Sequence, residues 1–302
     1  MTTRKYAVVT GGLGYIGSKV VLLLASSEWE VICIVRPASN LAVLPIKDRM
    51  QFIYYDGTVE SLSKLNWLPA NRTVFLHLAA RSTKAEEIEN IDSLVMSNIE
   101  FGLNLSKFMV MNNYKKLIHA ESYWQFDELG NIGGNCLYAA TKSAFSLVLE
   151  YMSKCYLNCL TLVLYDVYGP GDSRGKLINA IINKAPHMPA IAVTEGNQLI
   201  DYVHIDDVAK AFLVASELIL KDNSPVGFLR HTVRSMRPMS LRDYVELAAK
   251  ATNKSLNVNW GGIPYPVYQI FKPWFPDKLM QLPDWRPIIR FEDGVKDLIN
   301  NE

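Results

Sequence analysis

Tyr138 and Lys142, in Tyr138-Ala139-Ala140-Thr141-Lys142, stand four residues apart and share one face of any helix that contains them. An ammonium beside a phenol favours the phenolate, so Lys142 is expected to lower the Tyr138 pKa from its usual value of about 10. Tyr138 would then give and take a proton near neutrality. Composition alone yields about one such pair by chance. Tyr268 and Lys272 repeat the spacing in a proline-rich tail, with Pro273 behind them. The first pair is favoured because it opens a long helical stretch. Ser122 lies upstream at the end of an apolar run, where a hydroxyl can donate to a carbonyl oxygen under reduction.

Thr10-Gly11-Gly12-Leu13-Gly14-Tyr15-Ile16-Gly17 carries glycines three apart between a strand pattern and a helix pattern. Glycine there permits a tight turn, close approach of a pyrophosphate, and close packing of helix on strand. The helix N-terminus adds free N–H groups for the phosphates. Gly11, Leu13, Gly14, Tyr15, Ile16 and Gly17 are therefore the candidate dinucleotide loop. The second strand ends in Val35-Arg36-Pro37. A carboxylate there would hold a ribose hydroxyl, whereas an arginine suits a 2′-phosphate. Arg36 thus points to NADP rather than NAD. Asp56, with Gly57 after the third strand, is placed to meet the adenine amino group.

These residues need elements to hold them. Short β-rich runs at 6–10, 31–35, 51–55, 74–78, 117–120 and 160–165 predict six strands. Helical stretches at 17–26, 91–111 and 138–151 fall between them. Strand and helix in alternation imply an α/β fold with a doubly wound parallel sheet of Rossmann type. After Gly169-Pro170-Gly171 the rhythm changes. Helices are expected over 176–184, broken by Pro186 and Pro189, and over 206–220. The tail from 261 to 287 is rich in Pro and aromatics and reads as a compact cap packed over the sheet, with Trp274, Phe275 and Trp285 in the cap core. We assign 1–168 to a dinucleotide-binding domain to which 201–222 returns. Residues 169–200 and 223–302 form a smaller C-terminal substrate-binding cap.

The 302 residues carry 31 basic and 30 acidic side chains, a net charge of +1. Such balance gives no long-range pull on nucleic acid or acidic membranes. Apolar residues make up 49%, ample for a core and too many for a disordered chain. The longest aliphatic run near the start, 20–25, falls far short of a membrane span. The first residues leave no room for a signal peptide. Cys33, Cys136, Cys155 and Cys159 form no CxxC pair and read as reduced thiols of a cytoplasmic protein. No metal site is expected.

Taken with these motifs, His77-Leu78-Ala79-Ala80, Asn98, Tyr168-Gly169-Pro170-Gly171, the 198–207 segment QLIDYVHIDD and Leu282-Pro283-Asp284-Trp285-Arg286-Pro287 resemble one family. It is the extended short-chain dehydrogenases/reductases, also called NAD-dependent epimerase/dehydratases, and the likeness covers nearly the whole chain. Ser122-Tyr123-Trp124-Gln125 and Tyr165-Asp166-Val167-Tyr168 look most like the branch that reduces nucleotide-linked 4-keto-6-deoxysugars, such as CDP-abequose synthases. The resemblance implies a catalytic triad of Ser122, Tyr138 and Lys142. It implies cofactor contacts from Leu78, Ala79, Ala80, Asn98, Tyr165 and Val167 and substrate contacts from Tyr123 and Trp124. It also implies a homodimer formed through the 91–111 and 138–151 helices.

Two positions depart from the family. Ile200 stands where relatives often have an arginine for the substrate diphosphate, and Pro266 follows Tyr265 where many have another. Arg174 and Lys176, after the sixth strand, are the candidates to replace them. The leading expectation is an NADP-dependent reductase of a nucleotide-linked 4-keto-deoxysugar in lipopolysaccharide O-antigen biosynthesis. Alternatives are an NAD-dependent 4-epimerase, a reductase of a small non-nucleotide carbonyl, and a non-catalytic NADP-binding regulator. Tyr123-Trp124 after Ser122, in place of an Asp-Glu pair, disfavours a dehydratase.

Overall fold

The computed structural model describes residues 4–45, 48–82, 88–184, 190–221, 227–276 and 280–300. Its frame is a seven-stranded sheet. β1 (Lys5–Thr10), β2 (Trp29–Val35) and β3 (Met50–Tyr54) run outward in one direction from the centre. β4 (Thr73–His77), β5 (Lys116–Ser122), β6 (Asn158–Leu164) and β11 (Phe228–Val233) run outward in the other. All pairings within it are parallel. Parallel strands covered on both faces need apolar side chains on both, which the β-branched runs supply.

The chain order reverses between β1 and β4, whose last residues Thr10 and His77 sit side by side in register. A crevice opens beyond the strand ends at such a switch point. Helices α1 (Tyr15–Ser26) and α6 (Ile205–Leu220) cover one face through Val20, Val21, Leu24, Phe212 and Ala215. On the other face, α3 (Phe101–Met111) and α4 (Leu137–Ser153) pack Leu105, Phe108, Met109, Phe145 and Leu149. The expected 91–111 helix is interrupted. A short α2 (Ile91–Val95) passes into a π-helical turn, Met96–Glu100, before α3 begins.

Beyond the sheet, β7 (Asp166–Tyr168) pairs in parallel with β10 (Tyr202–His204). A separate core gathers Ile178, Ile181 and Ile182 of α5 (Leu177–Lys184) with Leu241 and Tyr244 of α7 (Leu241–Thr252) and Val295 and Leu298 of α8 (Phe291–Asn300). Two-stranded pairs flank it: β8 (Ile191–Val193) with β13 (Val258–Trp260), and β9 (Leu199–Ile200) with β12 (Met239–Ser240). Pro186 and Pro189 lie outside the described residues.

Two expectations about the C-terminal part are corrected. Residues 228–233, assigned to the cap, form the seventh strand of the main sheet. Arg230 and His231 interrupt the run's hydrophobicity, and the Arg230 charge is compensated by pairing with Glu121 at 2.7 Å. Trp274, Phe275 and Trp285 are not in the cap core. Trp285 packs in the core with α6 and donates its ring N–H to the Asp207 carbonyl at 2.9 Å. Trp274 and Phe275 pack around Phe126 and Tyr165. The tail does pack over the sheet domain, as its composition leads one to expect, but these rings join the sheet domain's clusters.

Candidate active site

The glycine loop turns at Gly11, whose φ of +70° suits glycine. A Cβ there would stand 2.7 Å from the Ala79 amide nitrogen, so the loop and the end of β4 touch backbone to backbone. Thr10 Oγ1 reinforces that seam by accepting from the Ala79 N–H at 3.2 Å. Gly14 occupies the N-cap of α1, and no side chain caps the helix. The first N–H groups of α1 therefore remain available to an anion. These features fit a dinucleotide pyrophosphate.

The loop forms one wall of a cleft of about 900 Å³. Leu78, Ala80, Ser122, Trp124, Tyr138, Lys142, Tyr165 and Val167 line it with the loop. The structure thus brings the glycine loop and the three candidate catalytic residues to one cavity.

Ser122 ends β5 and caps the short turn Tyr123–Gln125. Its N–H donates to Gln125 Oε1 at 2.8 Å, and Gln125 Nε2 donates to Ser146 Oγ on α4 at 3.1 Å. That chain fixes the strand end against the helix that carries Tyr138 and Lys142. Burial pushes the Tyr138 phenol up to about 12, with the neighbouring Ser122 hydroxyl acting in the opposite sense.

Here an expectation fails. The Tyr138 pKa is raised by burial rather than lowered, and the Lys142 Nζ is turned to the Ala120 carbonyl at 2.6 Å and His119 Nε2 at 3.3 Å. Burial brings the Lys142 ammonium down to about 8, with Glu121 acting in the opposite sense.

Other candidate residues divide. Arg36 is exposed at the end of β2 and makes no side-chain hydrogen bond or ion pair among the described residues. Asp56 is exposed and accepts from the Thr58 N–H and hydroxyl at 2.9 and 2.6 Å, which lower its pKa. The Gly57 carbonyl accepts from Asn104 Nδ2 at 3.1 Å. Asn98 is buried and does not line the cleft. Its amide clamps the Arg81 backbone, accepting from the N–H at 2.7 Å and donating to the carbonyl at 3.0 Å, and it donates to Thr141 Oγ1 at 3.0 Å.

Tyr123 gives its hydroxyl to Asp166 Oδ2 at 2.7 Å and stacks on Tyr165, with ring centroids 5.2 Å apart. Burial raises its pKa well above the ordinary phenol value. Tyr165 in turn donates to the Trp274 carbonyl.

Arg174 is bound through Nε and Nη2 to Asp172, at 2.7 and 2.8 Å, over the Tyr15 ring. Its charge is therefore neutralised locally. Lys176 is exposed at the cleft beside the start of α5, with no side-chain partner among the described residues. Ile200 is buried in β9 and pairs with Met239. Tyr265 accepts from the Asn197 N–H at 2.9 Å.

Two residues escaped the sequence reading. Tyr268 stands out in the sequence only through its chance spacing with Lys272, yet its ring lines the cleft and meets Trp124, with centroids 6.2 Å apart. His119, the partner of Lys142, sits inside a strand and carries no motif. Only the three-dimensional path of the tail and the depth of the lysine reveal them.

The family model of the NAD dependent epimerase/dehydratase family matches residues 7–225. The chain belongs to that family and is an NAD(P)-dependent enzyme of the short-chain dehydrogenase/reductase type. It is 28% identical to CDP-abequose synthase of Yersinia pseudotuberculosis over 76% of this chain and 81% of that protein. Its fold is similar to UDP-N-acetylglucosamine 4-epimerase from Methanobrevibacter ruminantium, with a TM-score of 0.82 and 22% identity, over 99% and 98% of the two chains. UDP-glucose 4-epimerase from Thermus thermophilus, solved with NAD, gives 0.81 and 21%, over 98% of each. Among the described residues no helix is long and apolar enough to cross a membrane, and no cluster of His, Cys, Asp and Glu could hold a metal ion.

Proposed function

We propose that the protein is an NADPH-dependent reductase of a nucleotide-linked 4-keto-deoxysugar, acting in the cytoplasm in the assembly of surface polysaccharide such as O-antigen. The carrying observation is that Ser122, Tyr138 and Lys142 line the same cleft as the uncapped glycine-loop helix. A nicotinamide dinucleotide, when bound along the loop, supplies the hydride. Tyr138 gives its phenolic proton to the carbonyl oxygen, and Ser122 holds that oxygen by a hydrogen bond. With its pKa at about 12, the Tyr138 phenol is protonated at neutral pH, which is the form a proton donor needs. Lys142 holds the cofactor ribose. Arg36 meets the 2′-phosphate, since an exposed guanidinium without a carboxylate neighbour is free to do so. Trp124 and Tyr268 form an aromatic wall beside Ser122 for the apolar face of a deoxysugar. Lys176 meets the substrate diphosphate in place of the arginines absent at Ile200 and Pro266.

The apolar side chains of Ile91, Val95, Met96, Leu147 and Tyr151 are exposed on α2, the π turn and α4. Such a cluster suits a homodimer with these helices at its interface.

Supplying a panel of nucleotide 4-ketosugars with NADPH or NADH, and identifying the product, tests this reading. Expected is stoichiometric NADPH oxidation with one ketosugar. Interconversion of 4-epimers with no net oxidation of added cofactor would assign a 4-epimerase instead. Reduction of free ketones alone would remove the nucleotide from the substrate.

A further inference from the structure

His77 on β4 and His119 on β5 stack in the sheet interior, with ring centroids 5.4 Å apart and planes 20° apart. Both are fully buried, and both meet the edge of Phe145. His77 Nδ1 lies 2.8 Å from Thr10 Oγ1. His119 Nδ1 lies 3.3 Å from the His77 carbonyl, and His119 Nε2 lies 3.3 Å from Lys142 Nζ.

Donor and acceptor counting assigns the His119 tautomer. An ammonium has three donors and no acceptor. His119 Nε2 must therefore accept from Lys142, so Nδ1 carries the proton and directs it at the His77 carbonyl. A backbone carbonyl cannot pass that proton on, so the row holds Lys142 in place and does not conduct. Burial keeps the His119 imidazole well below its ordinary pKa, and Lys142 and His77 act in the same direction. The ring stays neutral.

We propose that His119 is a positioning residue for Lys142: its Nε2 and the Ala120 carbonyl take two of the ammonium's N–H groups and leave one for the cleft. The proposal rests on the nicotinamide-dependent reading above. Other groups face this pair. Glu121 on β5 is held by Arg230 from β11 at 2.7 and 3.2 Å. His77 approaches from β4, and Tyr138 lies one turn before Lys142 on α4. None of these places an acceptor on the Lys142 ammonium in this structure; Ala120 and His119 do.

Glutamine and asparagine separate the two ring nitrogens, since a Gln amide reaches the Nε2 position and an Asn amide reaches only Nδ1. The experiment follows the titration of Lys142 by NMR in the full chain with labelled lysine, together with NADPH binding by fluorescence. His119→Gln should titrate as the wild type does and keep the NADPH Kd within about threefold. His119→Asn should lower the Lys142 midpoint, because the charged form loses an acceptor, and raise Kd about tenfold. Should His119→Asn not fold, His119→Met, an apolar chain that fills the space, takes its place with the same expected shifts. Equal Lys142 titration in all variants would overturn the proposal. A wild type that binds neither NADPH nor NADH would instead defeat the cofactor reading, while the lysine titration still decides the role of His119.

Discussion

Gly17 packs directly on Gly11: a Cβ at position 17 would stand 2.1 Å from the Gly11 carbonyl oxygen. The obstacle is backbone, so no side chain can swing aside to admit it. Gly17→Ala is expected to destabilise the protein by about 1–3 kcal/mol, the usual effect of overpacking. It should also distort the phosphate loop. Thermal melts and cofactor titration check both, and a variant with unchanged melting and binding would contradict this account of the loop.

Tyr138→Phe should lower turnover by about 10²–10⁴-fold, the range of general acid catalysis. Cofactor affinity should stay near that of the wild type, because the phenol acts when the oxygen gains its proton. Single-turnover rates beside NADPH titrations make the test. Near-normal turnover would remove Tyr138 as the proton donor.

Arg36→Ala should weaken NADPH binding by about 1.5–3 kcal/mol, the range of a charge-assisted hydrogen bond. NADH binding should not change. A wild type that prefers NADH would leave Arg36 without its assigned role.

Lys176→Ala should weaken binding of CDP or dTDP by about 1.5–3 kcal/mol and leave NADPH binding alone. Isothermal titration of both nucleotides against both proteins reads this out. Equal affinities would return Lys176 to the solvent.

Lys142 gives a pH dependence of stability. Its folded pKa of about 8 lies below the ordinary 10.5, so below pH 8 the buried ammonium lowers stability in full. The cost fades as pH rises from about 8 toward 10.5, where the unfolded chain also loses its proton. Lys142→Met should therefore be at least as stable as the wild type at pH 7, although inactive. Its advantage should shrink across that window in denaturant melts. A constant difference would show that burial does not govern this lysine.

Much of the sheet domain was legible because its signals are local. The runs that became β1, β2, β4 and β6 are apolar and β-branched, and the glycines at 11, 14 and 17 lie within one turn of chain. Tyr138 and Lys142 share a helix, so spacing was enough to pair them. The direction of the Lys142 ammonium was not legible, because His119 and Ala120 reach it from another strand. Arg230 and His231 concealed β11, since their partners lie elsewhere in the fold. Asn98 was found by motif, yet its work depends on Arg81 and Thr141, which only folding brings to it. Tyr268 enters the site on a tail whose route follows from Trp274 and Trp285 docking on the sheet domain.

That docking bears on how a substrate gets in. Tyr165 donates to the Trp274 carbonyl, Arg234 to the Pro276 carbonyl at 2.9 Å, and Trp285 to the Asp207 carbonyl. The segment bearing Tyr268 is thus moored downstream of the cleft, at Trp274, Pro276 and Trp285. A substrate that enters beside Tyr268 therefore meets a wall tied to the sheet domain at three backbone carbonyls.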